Sequence, residues 1–166
     1  MTEIREYINN KTFFFSIDFQ SGLEGYFLLF DSFSNWAEKF SEFFLNIKHF
    51  RVTRSQDSKN LFYFTCNTFN EKLKLEDVKL SDKSFVHNIC KTHFSEKAFL
   101  IKDDKETYFI NFNLEFILKN TNFEIMGIFL NPLDDFINFL QTNQEKIEIN
   151  SVTKFDGVPS KLDNKF

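Results

Sequence analysis

The chain has 166 residues, 42% of them hydrophobic and 27% charged, which suits one globular domain with a sizeable core. Phe fills 26 positions against 4 Tyr and 1 Trp, so the core must be densely aromatic unless apolar surface is kept for a partner. The net charge of −4 argues against a dedicated nucleic-acid binder, whose affinity comes from basic residues neutralising phosphates.

Residues 12–19 alternate, with Phe13, Phe15, Ile17 and Phe19 on one face, which predicts a half-buried strand. Ser21, Gly22 and Gly25 mark a turn, and Tyr26–Phe30 reads as the return strand. Ser34 is a candidate N-cap for a helix carrying Trp36, Phe40, Phe43, Phe44 and Ile47 on one face. Strands follow at 49–54, 61–66 and 72–80, the last with a bulge near Glu76-Asp77. A helix from Asp82 to about His93 turns Phe85, Val86, Ile89, Cys90 and His93 inward. Residues 98–102 and 107–118 read as a hairpin across an Asp103–Glu106 turn. The long arm places Tyr108, Ile110, Phe112, Leu114, Phe116 and Leu118 at one parity. The apolar run 123–130 predicts a central strand covered on both faces. Asn131-Pro132 opens a third helix with Leu133, Phe136, Ile137 and Leu140 as its stripe. Phe14 and Phe139 fall off these stripes, so they are either covered by a second layer, the favoured reading, or exposed as docking aromatics. Residues 146–152 read as an edge strand.

The expected fold is α+β: a strongly bent antiparallel β-sheet of about eight strands, with about three helices packed on one side. Residues 1–152 are expected to form a single domain and 153–166 a loose tail. Cys66 and Cys90 do not make a disulfide framework. The start of the chain shows no basic region followed by an apolar one, and its longest apolar runs are too short to cross a bilayer. A cytoplasmic protein with reduced thiols is therefore expected. Abundant Phe, Lys, Asn and Ile match an AT-rich bacterial or phage genome.

His87, Cys90 and His93 are the one cluster of metal-ligand types. His87 and His93 fall on different sides of a helix and no fourth ligand is present, so core packing of Cys90 is the favoured reading. Cys66 sits in a Phe-rich strand that would keep it inert, and Cys90, with His87 and His93 nearby in sequence, carries no local signature of a nucleophile. The paired carboxylates Glu76-Asp77, Asp103-Asp104 and Asp134-Asp135 are adjacent in sequence, whereas glycosidase chemistry needs two carboxylates facing each other across a cleft. Turn chemistry explains Asp103-Asp104, and the helix dipole explains Asp134-Asp135. The four glycines form no phosphate loop. Phe62 and Phe64 lack the basic surround of a base-stacking sheet.

These exclusions favour a non-enzymatic protein-binding protein without a cofactor or metal. More narrowly, they suggest a bacterial immunity or inhibitor protein for a cognate toxin, such as a basic nuclease. The expected contacts are Glu38, Glu42, Asp103, Asp104, Glu106, Asp134 and Asp135. The alternative is a small-ligand binder or enzyme with a Phe-lined pocket on the sheet. Residues 107–118 would form one wall and His87, His93 or Tyr108 would supply polar groups. A weaker third reading is a basic patch at Arg51, Arg54 and Lys59 for nucleic acid.

Overall fold

The computed structural model describes residues 12–30, 49–54, 61–65, 83–103, 108–120, 122–142 and 147–155. In chain order these give β1 (Thr12–Phe19), β2 (Glu24–Phe30), β3 (His49–Arg54), β4 (Leu61–Thr65), α1 (Lys83–His93), β5 (Ala98–Lys102), β6 (Tyr108–Asn111), α2 (Leu114–Lys119), β7 (Glu124–Phe129), α3 (Leu133–Thr142) and β8 (Ile147–Phe155). The fold is α+β with an antiparallel sheet. The helix expected at 34–47, the strand at 72–80 and the final residues 156–166 lie outside the described residues.

Six strands run side by side in the order β8-β1-β2-β7-β5-β6, each antiparallel to its neighbours. β4 continues beyond β6, and β3 pairs with β4. β3 also meets β8 through a short ladder of two residue pairs, His49↔Glu148 and Phe50↔Ile147. The first hairpin turns at Gly22, whose φ of 95° is left-handed and suits glycine. Its N–H donates to Phe19 O at 3.0 Å. β2 starts at Glu24, so Gly25 belongs to the strand and not to the turn.

Alternation sends the apolar residues of β1, β2, β5 and β7 to both sheet faces. One face carries Phe15, Ile17, Phe19, Phe27, Leu29 and Leu100, packed with Phe136, Phe139 and Leu140 of α3. The opposite face carries Phe14, Leu28, Phe30, Phe99, Ile101 and Ile128. It packs against Val86, Ile89 and Cys90 of α1 and Leu114 and Ile117 of α2. Helices therefore cover both faces, not one side as the sequence suggests. Phe14 is the residue that required the second layer. It sits at the parity that alternation marks as polar, and it is 1% exposed. Burying a Phe is worth about 1.5–3 kcal/mol, enough to favour a covering helix over leaving that face to water.

The first face is held by a chain of aromatic rings. Phe27 lies 4.8 Å from Phe129, Phe129 stacks on Phe136 at 4.7 Å, and Phe139 meets Phe19 at 4.8 Å. Each such pair adds about 0.5–1.5 kcal/mol beyond area burial. Phe139 is thereby buried, and α3 rotates relative to the expected stripe: Phe136, Phe139 and Leu140 face the core, while Leu133 and Ile137 are only partly covered.

β7 lies between β2 and β5 and is buried on both faces from Ile125 to Phe129, as its unbroken apolar run implies. The register shifts beside it: Leu100 pairs with Gly127, but Ile101 pairs with Ile125. Met126 is the extra residue. The bulge sends Met126 and Phe129 to the first face and Ile125 and Ile128 to the second.

Two expectations are corrected here. The strand read over 107–118 ends at Asn111, and Leu114–Lys119 is helical. Asn113 caps this helix, its Oδ1 accepting from Phe116 N at 3.2 Å. Asn120 closes it by donating from Nδ2 to Phe116 O at 2.8 Å. In addition, β8 runs through Phe155, three residues into the segment expected to be tail. Thr153, Lys154 and Phe155 pair there with Ser16, Phe15 and Phe14.

Candidate functional site

The link between α1 and β5 organises the described surface that is open to ligands. Phe94 follows α1 and is buried, its N–H donating to Cys90 O at 3.0 Å. His93, expected on the inner face of α1, is exposed because Phe94 occupies the apolar position. Ser95 and Glu96 form the exposed turn before β5.

Two clefts meet at this turn, and Ser95 borders both. The larger, about 740 Å³, lies between the turn and the start of α3. His93, Glu96, Lys97, Leu133, Asp134 and Asp135 line it. Lys97 Nζ donates to Leu130 O at 3.1 Å. Asp134 and Asp135 are exposed in the first turn of α3, where negative charge complements the helix dipole. The smaller cleft, about 560 Å³, lies between α1 and α2, with Phe112, Leu114 and Leu118 as its apolar part.

Asn131 fixes the start of α3. The sequence suggests it as the helix N-cap, yet its carboxamide bonds to β2. Its Oδ1 accepts from Tyr26 N at 2.9 Å, and its Nδ2 donates to Glu24 O at 2.8 Å. The first turn of α3 is closed by Phe136 N donating to Pro132 O at 3.1 Å. The acidic pair is therefore tied to the start of β2, a strand paired on both sides.

Of the seven acids expected to meet a partner, three are described. Asp134 and Asp135 share the larger cleft, joined there by Glu96, which the sequence reading did not select. Glu96 was detectable only as a turn residue, because its approach to α3 depends on β5 and β7 pairing. Asp103 follows the other end of β5, so the length of that strand separates it from the cleft. Glu38, Glu42, Asp104 and Glu106 lie outside the described residues.

Cys90 is buried, and desolvation pushes its thiol up to about 12 from the usual 9.0. A protonated core thiol is neither a nucleophile nor a metal ligand at neutral pH. Among the described residues, no three His, Cys, Asp or Glu side chains come together to hold a metal ion. No helix there is long and apolar enough to cross a membrane. The aromatic wall expected over 107–118 is not formed, since that segment bends into α2 and both sheet faces are packed by helices. Cys66 and Lys59 lie outside the described residues, as do the side chains of Arg51, Arg54, Phe62, Phe64 and Tyr108.

Compared with known proteins, the chain matches no family model, no curated protein and no solved structure.

Proposed function

We propose that this chain is a non-enzymatic binding protein that covers a basic site on another protein. The narrower reading is a bacterial immunity or inhibitor protein that neutralises a cognate toxin, such as a basic nuclease. The observation that carries it is the acidic cleft, where exposed Asp134 and Asp135 stand beside Glu96 with Leu133 as an apolar contact. Acids anchored through Asn131 to β2 steer a basic partner and fix its register, while the apolar contact supplies burial. The net charge of −4 acts in the same direction at longer range.

The test is co-expression in a bacterial host with the product of the gene immediately upstream. Rescue of growth together with a stable complex supports the reading. The double variant Asp134→Lys/Asp135→Lys should then slow association at low salt by about tenfold or more. Toxicity without rescue, or no toxicity, removes the toxin assignment. A complex indifferent to the charge reversal places the interface elsewhere.

A further inference from the structure

The smaller cleft has a chemistry distinct from that of its acidic neighbour. Its apolar part is Phe112, Leu114 and Leu118. Its polar rim is Lys91, Ser95, Asn113 and Glu115. Glu115 is already engaged, since Lys119 Nζ lies 3.0 Å from its Oε1 one helical turn away. Asn113 uses its Oδ1 as the cap of α2, which leaves its amino group as a donor. Lys91 is exposed and forms no ion pair with another described residue. The polar groups left open are the Lys91 ammonium, the Asn113 amino group and the Ser95 hydroxyl, which can donate or accept. With Glu115 balanced by Lys119, Lys91 is the rim's unbalanced charge, and over an apolar floor it selects an anionic head attached to an apolar body.

We propose that this cleft binds a small amphiphilic carboxylate, with its head at Lys91, Ser95 and Asn113 and its hydrocarbon against Phe112, Leu114 and Leu118. The volume of about 560 Å³ falls within the range of small-molecule sites. The head sits beside Lys91, although the chain as a whole carries −4. This site is independent of the acidic cleft: it takes an anion, whereas the acids would take a cation. Either reading can fail without the other.

The probe is decanoate, with decanol as the uncharged match of equal tail length. Titration into the full ¹⁵N-labelled chain, followed by amide shifts, should show saturable binding. The shifts should centre on Lys91, Ser95 and the segment 112–118. Decanol should bind about tenfold or more weakly, the loss of one charge-assisted contact. Lys91→Glu should bring decanoate down to the level of decanol. Lys154→Glu, an exposed control on β8, should leave both affinities unchanged. No saturation up to about 1 mM overturns the proposal. So does equal binding of the two probes, or indifference to Lys91→Glu. Binding to phosphatidylglycerol vesicles without binding of monomeric decanoate overturns it too, by making the cleft part of a lipid-surface contact.

Discussion

Replacing Asn131 with Ala should lower the stability of the protein far more than the size of the change suggests. Asn131 is 6% exposed, and its carboxamide holds two backbone groups of β2, Tyr26 N and Glu24 O. Each bond contributes about 1 kcal/mol net, and stranding the partners away from water adds to that loss. The expected total is about 2–4 kcal/mol, or roughly 5–15 °C in Tm for a chain of this length. The assay is urea unfolding followed by far-UV circular dichroism, with thermal melts in parallel. Asn131→Asp is the diagnostic companion. It keeps the acceptor for Tyr26 N but sets a carboxylate oxygen against Glu24 O. Protonation of that carboxylate would restore a donor, so the Asp defect should shrink as pH falls towards about 4, while the Ala defect should not. An Asn131→Ala variant within about 0.5 kcal/mol of wild type would refute the clamp. Equal pH dependence of both variants would refute the assigned roles of Oδ1 and Nδ2.

Gly127→Ala should destabilise by about 2 kcal/mol or more in the same assay, because its Cβ would stand 2.7 Å from Leu28 O and run into the Phe27 ring. A neutral result would mean that the β7 bulge can relax. Phe14→Ala and Phe15→Ala should each cost about 3–5 kcal/mol, since these neighbours are 1% and 0% exposed on opposite faces. A mild Phe14 variant would remove the argument for helices on both faces. In a Cys66→Ser background, Cys90 should resist an aromatic disulfide reagent at pH 8 and react only as fast as the chain opens; fast native labelling would contradict its burial. The same thiol fixes the sign of an alkaline effect. Between pH 9 and about 12 the unfolded thiol ionises while the folded one stays protonated, so stability falls by up to about 1.4 kcal/mol per pH unit. Cys90→Ala should flatten that slope, and an unchanged slope would assign it to other groups.

Much of the architecture was legible locally. β1, β5 and β7 announced themselves by alternation or by an unbroken apolar run, and α1 and α3 by apolar residues at helical spacing. Residues 107–118 satisfy two periods at once. Phe112, Leu114, Phe116 and Leu118 share a strand parity, while Leu114, Ile117 and Leu118 stand at i, i+3 and i+4 of a helix. The caps at Asn113 and Asn120, together with the surface of α1, decide between them. The α3 stripe was legible in kind but not in phase, because the Phe19 and Phe129 rings set its rotation.

The candidate clefts were less legible than the fold. Asp134 and Asp135 were visible as a charged first turn, but Glu96 is distant in sequence, and Lys91 and Phe112 showed no shared pattern. The aromatic core, the antiparallel α+β class and most of the described strands and helices follow from local pattern, because side-chain period and turn residues act over a few positions. Tertiary structure alone decided which helix covers which face, where β7 bulges and which surface residues share a cleft. Those outcomes depend on pairings between segments far apart in the chain, and a local pattern carries no information about partners at that distance.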